Sequence, residues 1–243
     1  MIIIPARLGS TRFPRKVLAD IGGLPMVVAT AKAVESVDRV AVATDSEKVV
    51  DVCSSYGIKA VMTSSEHSSG TDRVNEAAAR LGLDENETVI NVQADEPFIE
   101  AQIVEDLRAL VKANAKDESV MICSLFKKIS SKEAEDPNLV KVVTDESGFA
   151  LYFSRSPLPF DRDGGFCEYK GHIGIYGFKR KMLDRFCSLP TSLLERTEKL
   201  EQLRALSHGF KIAMTQVETK SFGVDTPEDL EKALKRIERL EKL

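Results

Sequence analysis

The chain has 243 residues, of which 43% are hydrophobic and 30% charged, and its formal net charge is −4. That length supports one sizeable core, as a single large domain or a domain with an inserted lobe. The acidic balance excludes a general nucleic-acid binder, and no apolar run approaches the ~20 residues needed to span a bilayer.

Cys53, Cys123, Cys167 and Cys187 form no C-x-x-C pair. This argues against zinc and for reduced thiols in a cytoplasmic protein. The stretch Met1-Ile2-Ile3-Ile4 is too short for the apolar region of a secretory signal.

In chain order, residues 2–5 form a run of branched apolar side chains that reads as a buried parallel strand. The chain then breaks into a loop with Gly9, the hydroxyls of Ser10 and Thr11, and the cations Arg7, Arg12, Arg15 and Lys16. Further strands are predicted at 39–43, 59–63, 88–92, 120–126, 140–144, 150–153, 172–178 and 211–216. Helices are predicted at 25–36, 46–56, 71–81 and 101–115. Val28, Ala31 and Val34 form one apolar stripe, and Val49, Val50, Val52 and Cys53 another.

Strand alternating with helix at this spacing predicts an α/β fold with a doubly wound, mostly parallel, Rossmann-like sheet. After about residue 126 the strands crowd together, and the segment 157–169 is rich in Pro, Asp and Gly. A smaller mixed-sheet lobe is expected at about 127–220, inside one domain covering 1–243. It would complete the substrate side and contribute a dimer contact. A last helix starts at Asp225-Thr226-Pro227, with Thr226 as its cap, and carries the stripe Leu230, Leu234, Ile237, Leu240.

The first loop puts backbone N–H groups and positive charge at the carboxyl end of a strand, where open α/β sheets bind ligands. It suits a polyphosphate, although it is neither a P-loop nor a dinucleotide fingerprint. Taken alone, R-x-G-S-T-R fits a solvated basic turn equally well. Two acidic corners follow, Asp95-Glu96-Pro97 and Gly223-Val224-Asp225. As alternatives to a metal site, Asp95 fits a turn and Asp225 a cap on the last helix.

These blocks occur in order with Ser69-Gly70-Thr71-Asp72-Arg73, Tyr152-Phe153-Ser154-Arg155-Ser156-Pro157, His172-Ile173-Gly174-Ile175-Tyr176-Gly177 and Leu200-Glu201-Gln202-Leu203-Arg204. Together they resemble the CMP-sugar synthetase family, in the branch acting on 3-deoxy-manno-octulosonate (Kdo), over essentially the whole chain. The resemblance implies transfer of CMP from CTP to the anomeric hydroxyl of Kdo, with release of pyrophosphate, for lipopolysaccharide biosynthesis. It also implies a Mg²⁺ cofactor and a homodimer. An amino-Kdo or acylneuraminate acceptor, or a non-catalytic nucleotide-binding module on the same fold, are the alternatives.

The resemblance assigns Arg7, Gly9, Ser10, Arg12, Lys16 and Arg73 to the nucleotide, with Lys16 also catalytic. It makes Asp95 and Asp225 catalytic metal ligands. Gln93, Arg155, His172, Tyr176, Glu201 and Gln202 fall to the acid sugar, Arg155 as a bidentate partner of its carboxylate. His172 fits a structural role as well. The segment 194–206 reads alternatively as a charged helical face, with Glu195, Arg196, Glu198 and Lys199 on it. His67 and His208 receive no role, and no nucleophile is evident. The chain departs from the family pattern at Arg15 and Ala94, where glycine is usual. A positive φ at Ala94 would be strained.

Overall fold

The computed structural model describes residues 1–9, 13–165 and 167–240, the last five of these by backbone alone. They fall into two compact units. One comprises 1–84, 89–105 and 220–243, the other 85–88 and 106–219.

The first unit opens with β1 (Ile2–Ala6), every residue of which is buried. A short 3₁₀ turn, Lys16–Leu18, leads to a hairpin of β2 (Asp20–Ile21) and β3 (Leu24–Pro25). Then come α1 (Met26–Val34), β4 (Val40–Thr44), α2 (Glu47–Ser55), β5 (Lys59–Met62), α3 (Gly70–Arg80) and β6 (Thr88–Asn91). β1 lies between β4 and β6 and is parallel to both, and β5 extends the parallel set beyond β4. This is the parallel, helix-covered layer expected from the sequence. The hairpin went unpredicted despite its turn signal: Gly22 and Gly23 both have positive φ, as a tight two-residue connection requires.

α4 (Ala101–Ala113) carries the chain into the second unit. There β7 (Val120–Ile129) is followed by a single helical turn, α5 (Ser131–Ala134), and by β8 (Lys141–Thr144), β9 (Ala150–Ser154) and β10 (Tyr169–Lys179). The remainder is α6 (Arg180–Ser188), α7 (Leu193–Glu198), α8 (Leu203–Ser207) and β11 (Lys211–Gln216). β7 pairs antiparallel with β10 and parallel with β11, while β8 is antiparallel to β9 and β10. Gly177 lets α4 press onto β10, because a Cβ there would collide with Val111 Cγ2.

The segment 194–206 is not one charged helix. Lys199 takes a left-handed conformation (φ 55°), which ends α7 and separates it from α8. Glu195 is buried against Arg204, with Nη2–Oε1 at 2.6 Å and Nε–Oε2 at 2.9 Å. Glu198 accepts hydrogen bonds from Ser154 and from the Arg155 backbone. Only Arg196 and Lys199 of the expected face are exposed. The sequence pattern hid this because a buried charge and a solvated charge look alike without their partners.

α9 (Pro227–Leu240) returns to the first unit. Val224 and Ala233 join Ile21 and Met26 in its core, with Leu230 packed beside them. The side chains of Ile237 and Leu240 lie outside the described residues. No helix among the described residues is long and apolar enough to cross a membrane.

Candidate active site

A cavity of about 300 Å³ opens in the first unit. It gathers Arg7 from the end of β1, Lys16 from the 3₁₀ turn, Arg73 from α3, and Gln93 and Asp95 from the loop after β6. Asp225, from the loop before α9, completes the acidic side. Ser69 caps α3, its Oγ accepting the Asp72 N–H at 3.1 Å, and the first turn of that helix borders the cavity. A helix N-terminus next to cations is a favourable place for phosphate.

Asp95 and Asp225 are far apart in sequence, yet local packing brings them together. The Val224 N–H donates to the Asp95 carbonyl at 2.8 Å. Phe98 and Phe222 stack with ring centroids 5.0 Å apart. A Cβ at Gly223 would come within 3.1 Å of Glu96 Oε1, a tight but relievable approach. Glu96 accepts the Ser221 hydroxyl at 3.3 Å and so braces the loop. The helix cap belongs to Thr226, whose Oγ1 accepts from the Asp229 N–H while the Asp229 carboxylate accepts from the Thr226 N–H, each at 3.2 Å. The Asp225 carboxylate is therefore not spent as a cap.

It is spent on Lys16. The ammonium sits 2.5 Å from Asp95 Oδ2 and 2.8 Å from Asp225 Oδ1. The Lys16 side chain is 11% exposed and that of Asp225 55%. Burial alone would lower the Lys16 pKa, but the Asp95 charge and the hydrogen bonds to Asp225 and Asp95 outweigh it and raise it above its ordinary value. Two oxygen donors that already converge on one cation fit the coordination preference of magnesium, which takes one or two carboxylates together with phosphates.

Arg73, expected to add positive charge for the nucleotide, borders the cavity but is itself ion-paired. It is 3% exposed, with Nη1 2.6 Å from Thr63 Oγ1 and Nη2 2.8 Å from Asp45 Oδ2. Its charge reaches the cavity partly neutralised. Arg7 is exposed at the rim, and Gly9 is exposed with nothing near its Cβ position. Ser10 and Arg12 lie outside the described residues. Gln93 borders the cavity while its amide donates to Asn91 at 3.2 Å. Sequence reasoning missed His67, which lines the cavity and bonds Glu76. Its position just ahead of the helix cap Ser69 was the available signal. The departure at Ala94 is unstrained, since Ala94 is not among the described residues with positive φ. The departure at Arg15 does take the left-handed backbone, with φ 58° and ψ 25°.

Of the residues implied for the sugar, Arg155, His172, Tyr176, Glu201 and Gln202 lie in the second unit, and Gln93 in the first. His172 and Tyr176 lie on β10 with ring centroids 5.6 Å apart. The Tyr176 hydroxyl donates to Gln202 Oε1 at 3.1 Å. Burial, and then the Glu201 charge, push the Tyr176 pKa well up. Arg155 is a clamp here: Nε donates to the Glu198 carbonyl at 2.8 Å and Nη1 to the Pro137 carbonyl at 2.9 Å. Beneath it the fully buried Lys141 donates to the carbonyls of Asp136 (2.9 Å) and Arg155 (2.5 Å). Burial pushes the Lys141 pKa down.

Residues 1–241 match the profile of a protein family described as Cytidylyltransferase. The chain belongs to the cytidylyltransferase family. It is 56% identical to the 3-deoxy-manno-octulosonate cytidylyltransferase of a Nitratiruptor species, over 96% of this chain and 97% of that relative. It is 53% identical to the protein of the same name from Wolinella succinogenes, over 97% and 98%. A solved structure of a CMP:2-keto-3-deoxy-manno-octonic acid synthetase complexed with CTP superposes with a TM-score of 0.89. Identity to that synthetase is 40%, and the match covers 98% of each chain.

Proposed function

We propose that this cytidylyltransferase moves CMP from CTP onto the anomeric hydroxyl of Kdo. The hydroxyl oxygen bonds to the α-phosphorus, the bond from that phosphorus to the bridging oxygen breaks, and pyrophosphate leaves. The hydroxyl proton passes to water. The product is an activated sugar for lipopolysaccharide biosynthesis, and the reading includes a cytoplasmic homodimer.

The observation that carries the chemistry is the Lys16 ammonium held between Asp95 and Asp225 in a cavity that Arg7 also lines. A triphosphate entering there meets Arg7, Lys16 and the first turn of α3. Lys16 then exchanges its carboxylate partners for phosphate oxygens and stabilises charge that develops on the leaving group. Asp95 and Asp225 would hold magnesium, which when bound would supply neutralisation of phosphate charge and acidification of the attacking hydroxyl. Gln93, assigned to the sugar by the family resemblance, borders the same cavity. His172, Tyr176, Glu201 and Gln202 bind sugar hydroxyls, and Arg155 orders the segment around them.

The test is pyrophosphate release, with the nucleotide sugar identified by mass spectrometry. Turnover should require CTP, Mg²⁺ and Kdo together. Turnover on an amino-Kdo or an acylneuraminate but not on Kdo would replace the acceptor. CTP binding with no turnover on any acid sugar would reduce the chain to a binding module.

A further inference from the structure

The role of Ser124 follows from counting protons. Its hydroxyl lies 2.8 Å from His172 Nε2, 2.8 Å from the Ile175 carbonyl and 3.3 Å from the Ile173 carbonyl. A serine hydroxyl has one proton to donate, whereas a carbonyl oxygen only accepts. The proton therefore goes to the carbonyl side. The short contact to Nε2 then needs a proton from the imidazole. His172 is thereby fixed with its proton on Nε2 and a bare lone pair on Nδ1.

Local structure explains why the two carbonyls are there. The pairing of β10 with β7 slips between Ile173 and Tyr176, so that Leu125 faces Ile173 and Ser124 faces Tyr176. Such an irregularity leaves an unpaired residue in the ladder, and its carbonyls need other donors. Ser124 supplies one. Burial holds His172 neutral, its pKa pushed down to about 3. The ring is fixed by Phe153 edge-on at 4.9 Å and by Tyr176 at 5.6 Å.

Two polar positions in this cluster stay open. Among the described residues, His172 Nδ1 has no hydrogen-bond partner. The Gln202 side-chain amide nitrogen has none either, although Gln202 is 1% exposed. One is an acceptor and the other a donor. A sugar hydroxyl supplies both complements, whereas an apolar group would leave both unsatisfied.

We infer that Ser124 is a positioning residue which locks His172 in the Nε2–H tautomer and so presents Nδ1 as the acceptor for a hydroxyl of the acid sugar. This rests on the reading of the chain as a Kdo-using enzyme. Ser124 does not touch the sugar; it acts through the imidazole.

The experiment begins with nitrogen-15 NMR of the histidine rings in the whole protein without substrate. The chain has three histidines, so a His172→Gln variant assigns the signal. His172 should show a protonated Nε2 and an unprotonated Nδ1. Ser124→Ala should lose this single tautomer and raise the apparent Kdo KM roughly tenfold, with the CTP KM unchanged. Ser124→Thr, which restores a hydroxyl, should recover both. A wild-type ring protonated on Nδ1 overturns the inference without reference to any variant. So does a Ser124→Ala protein that keeps the tautomer and the Kdo KM. The tautomer measurement uses no substrate, so its failure leaves Kdo turnover standing. Absence of Kdo turnover removes the sugar half of the inference and the functional reading together.

Discussion

Replacing Lys16 by Met keeps the length and apolar stem of the side chain but removes the charge between Asp95 and Asp225. Two carboxylates then share a site with no cation. The bond to the half-buried Asp95 is charge-assisted and contributes ~1.5–3 kcal/mol. The pair with the exposed Asp225 contributes ~0.2–1 kcal/mol after solvent screening. Water entering through the cavity mouth relaxes part of the repulsion, so a net loss of about 2 kcal/mol is expected. For a chain of this size that is about 4–8 °C of melting temperature. Added Mg²⁺ should recover more of this loss in Lys16→Met than it adds to the wild type, because the metal no longer competes with an internal ammonium. Turnover should not recover: kcat/KM for CTP should stay roughly 10- to 150-fold low, the equivalent of one lost charge-assisted contact. Thermal scans with and without Mg²⁺, beside pyrophosphate release, separate the two effects. An unchanged melting temperature together with a wild-type response to Mg²⁺ would show that Lys16 does not neutralise these carboxylates.

Arg155→Lys loses the planar fork that reaches the Glu198 and Pro137 carbonyls, so it should melt lower and raise the Kdo KM while the CTP KM stays normal. A lower melting temperature with an unchanged Kdo KM would confine Arg155 to its clamp role. Arg15→Gly removes a left-handed conformation from a residue with a Cβ, and should stabilise by about 0.5–1 kcal/mol after allowing for the entropy of glycine. Thermal unfolding checks this, and a lower melting temperature refutes it. Glu76 has its pKa held down at about 2: burial opposes ionisation, but the Ser64 N–H, His67 and Arg80 favour the charged form. Its contribution is present above the ordinary value of 4.5 and is lost as pH falls towards 2. In urea unfolding across that window, Glu76→Gln should flatten the acid slope, and an unchanged slope would contradict the assignment.

Much of the first unit was legible because its signals are local. A run such as Ile2-Ile3-Ile4 has few fates other than a buried strand, and the helical stripe Val28, Ala31, Val34 proved fully buried. The second unit was harder. Lys141 and Glu195 are buried charges held by partners on neighbouring segments rather than within their own element, and neither looks buried in isolation. α6 went unpredicted although Met182, Leu183 and Phe186 form its inner face, because Arg180 sits buried among them and breaks the apolar pattern.

The candidate site shows the same division between residue identity and residue geometry. The family resemblance implied that Asp95 and Asp225 share one metal site, with Lys16 catalytic, but not that the Lys16 ammonium bridges the two carboxylates, a geometry held by Val224 bonding the Asp95 carbonyl. His67 was missed because a histidine in a polar loop carries no periodic signal. Ser124 was missed for a deeper reason. It lies inside a buried strand, where a serine reads as a small, tolerated residue. What makes it informative is the register slip opposite it, which brings two carbonyls and an imidazole to one hydroxyl. A single proton shared among acceptors then decides which nitrogen of His172 is bare. That decision belongs to strand pairing rather than to any motif, so no reading of residue types along the chain could have reached it.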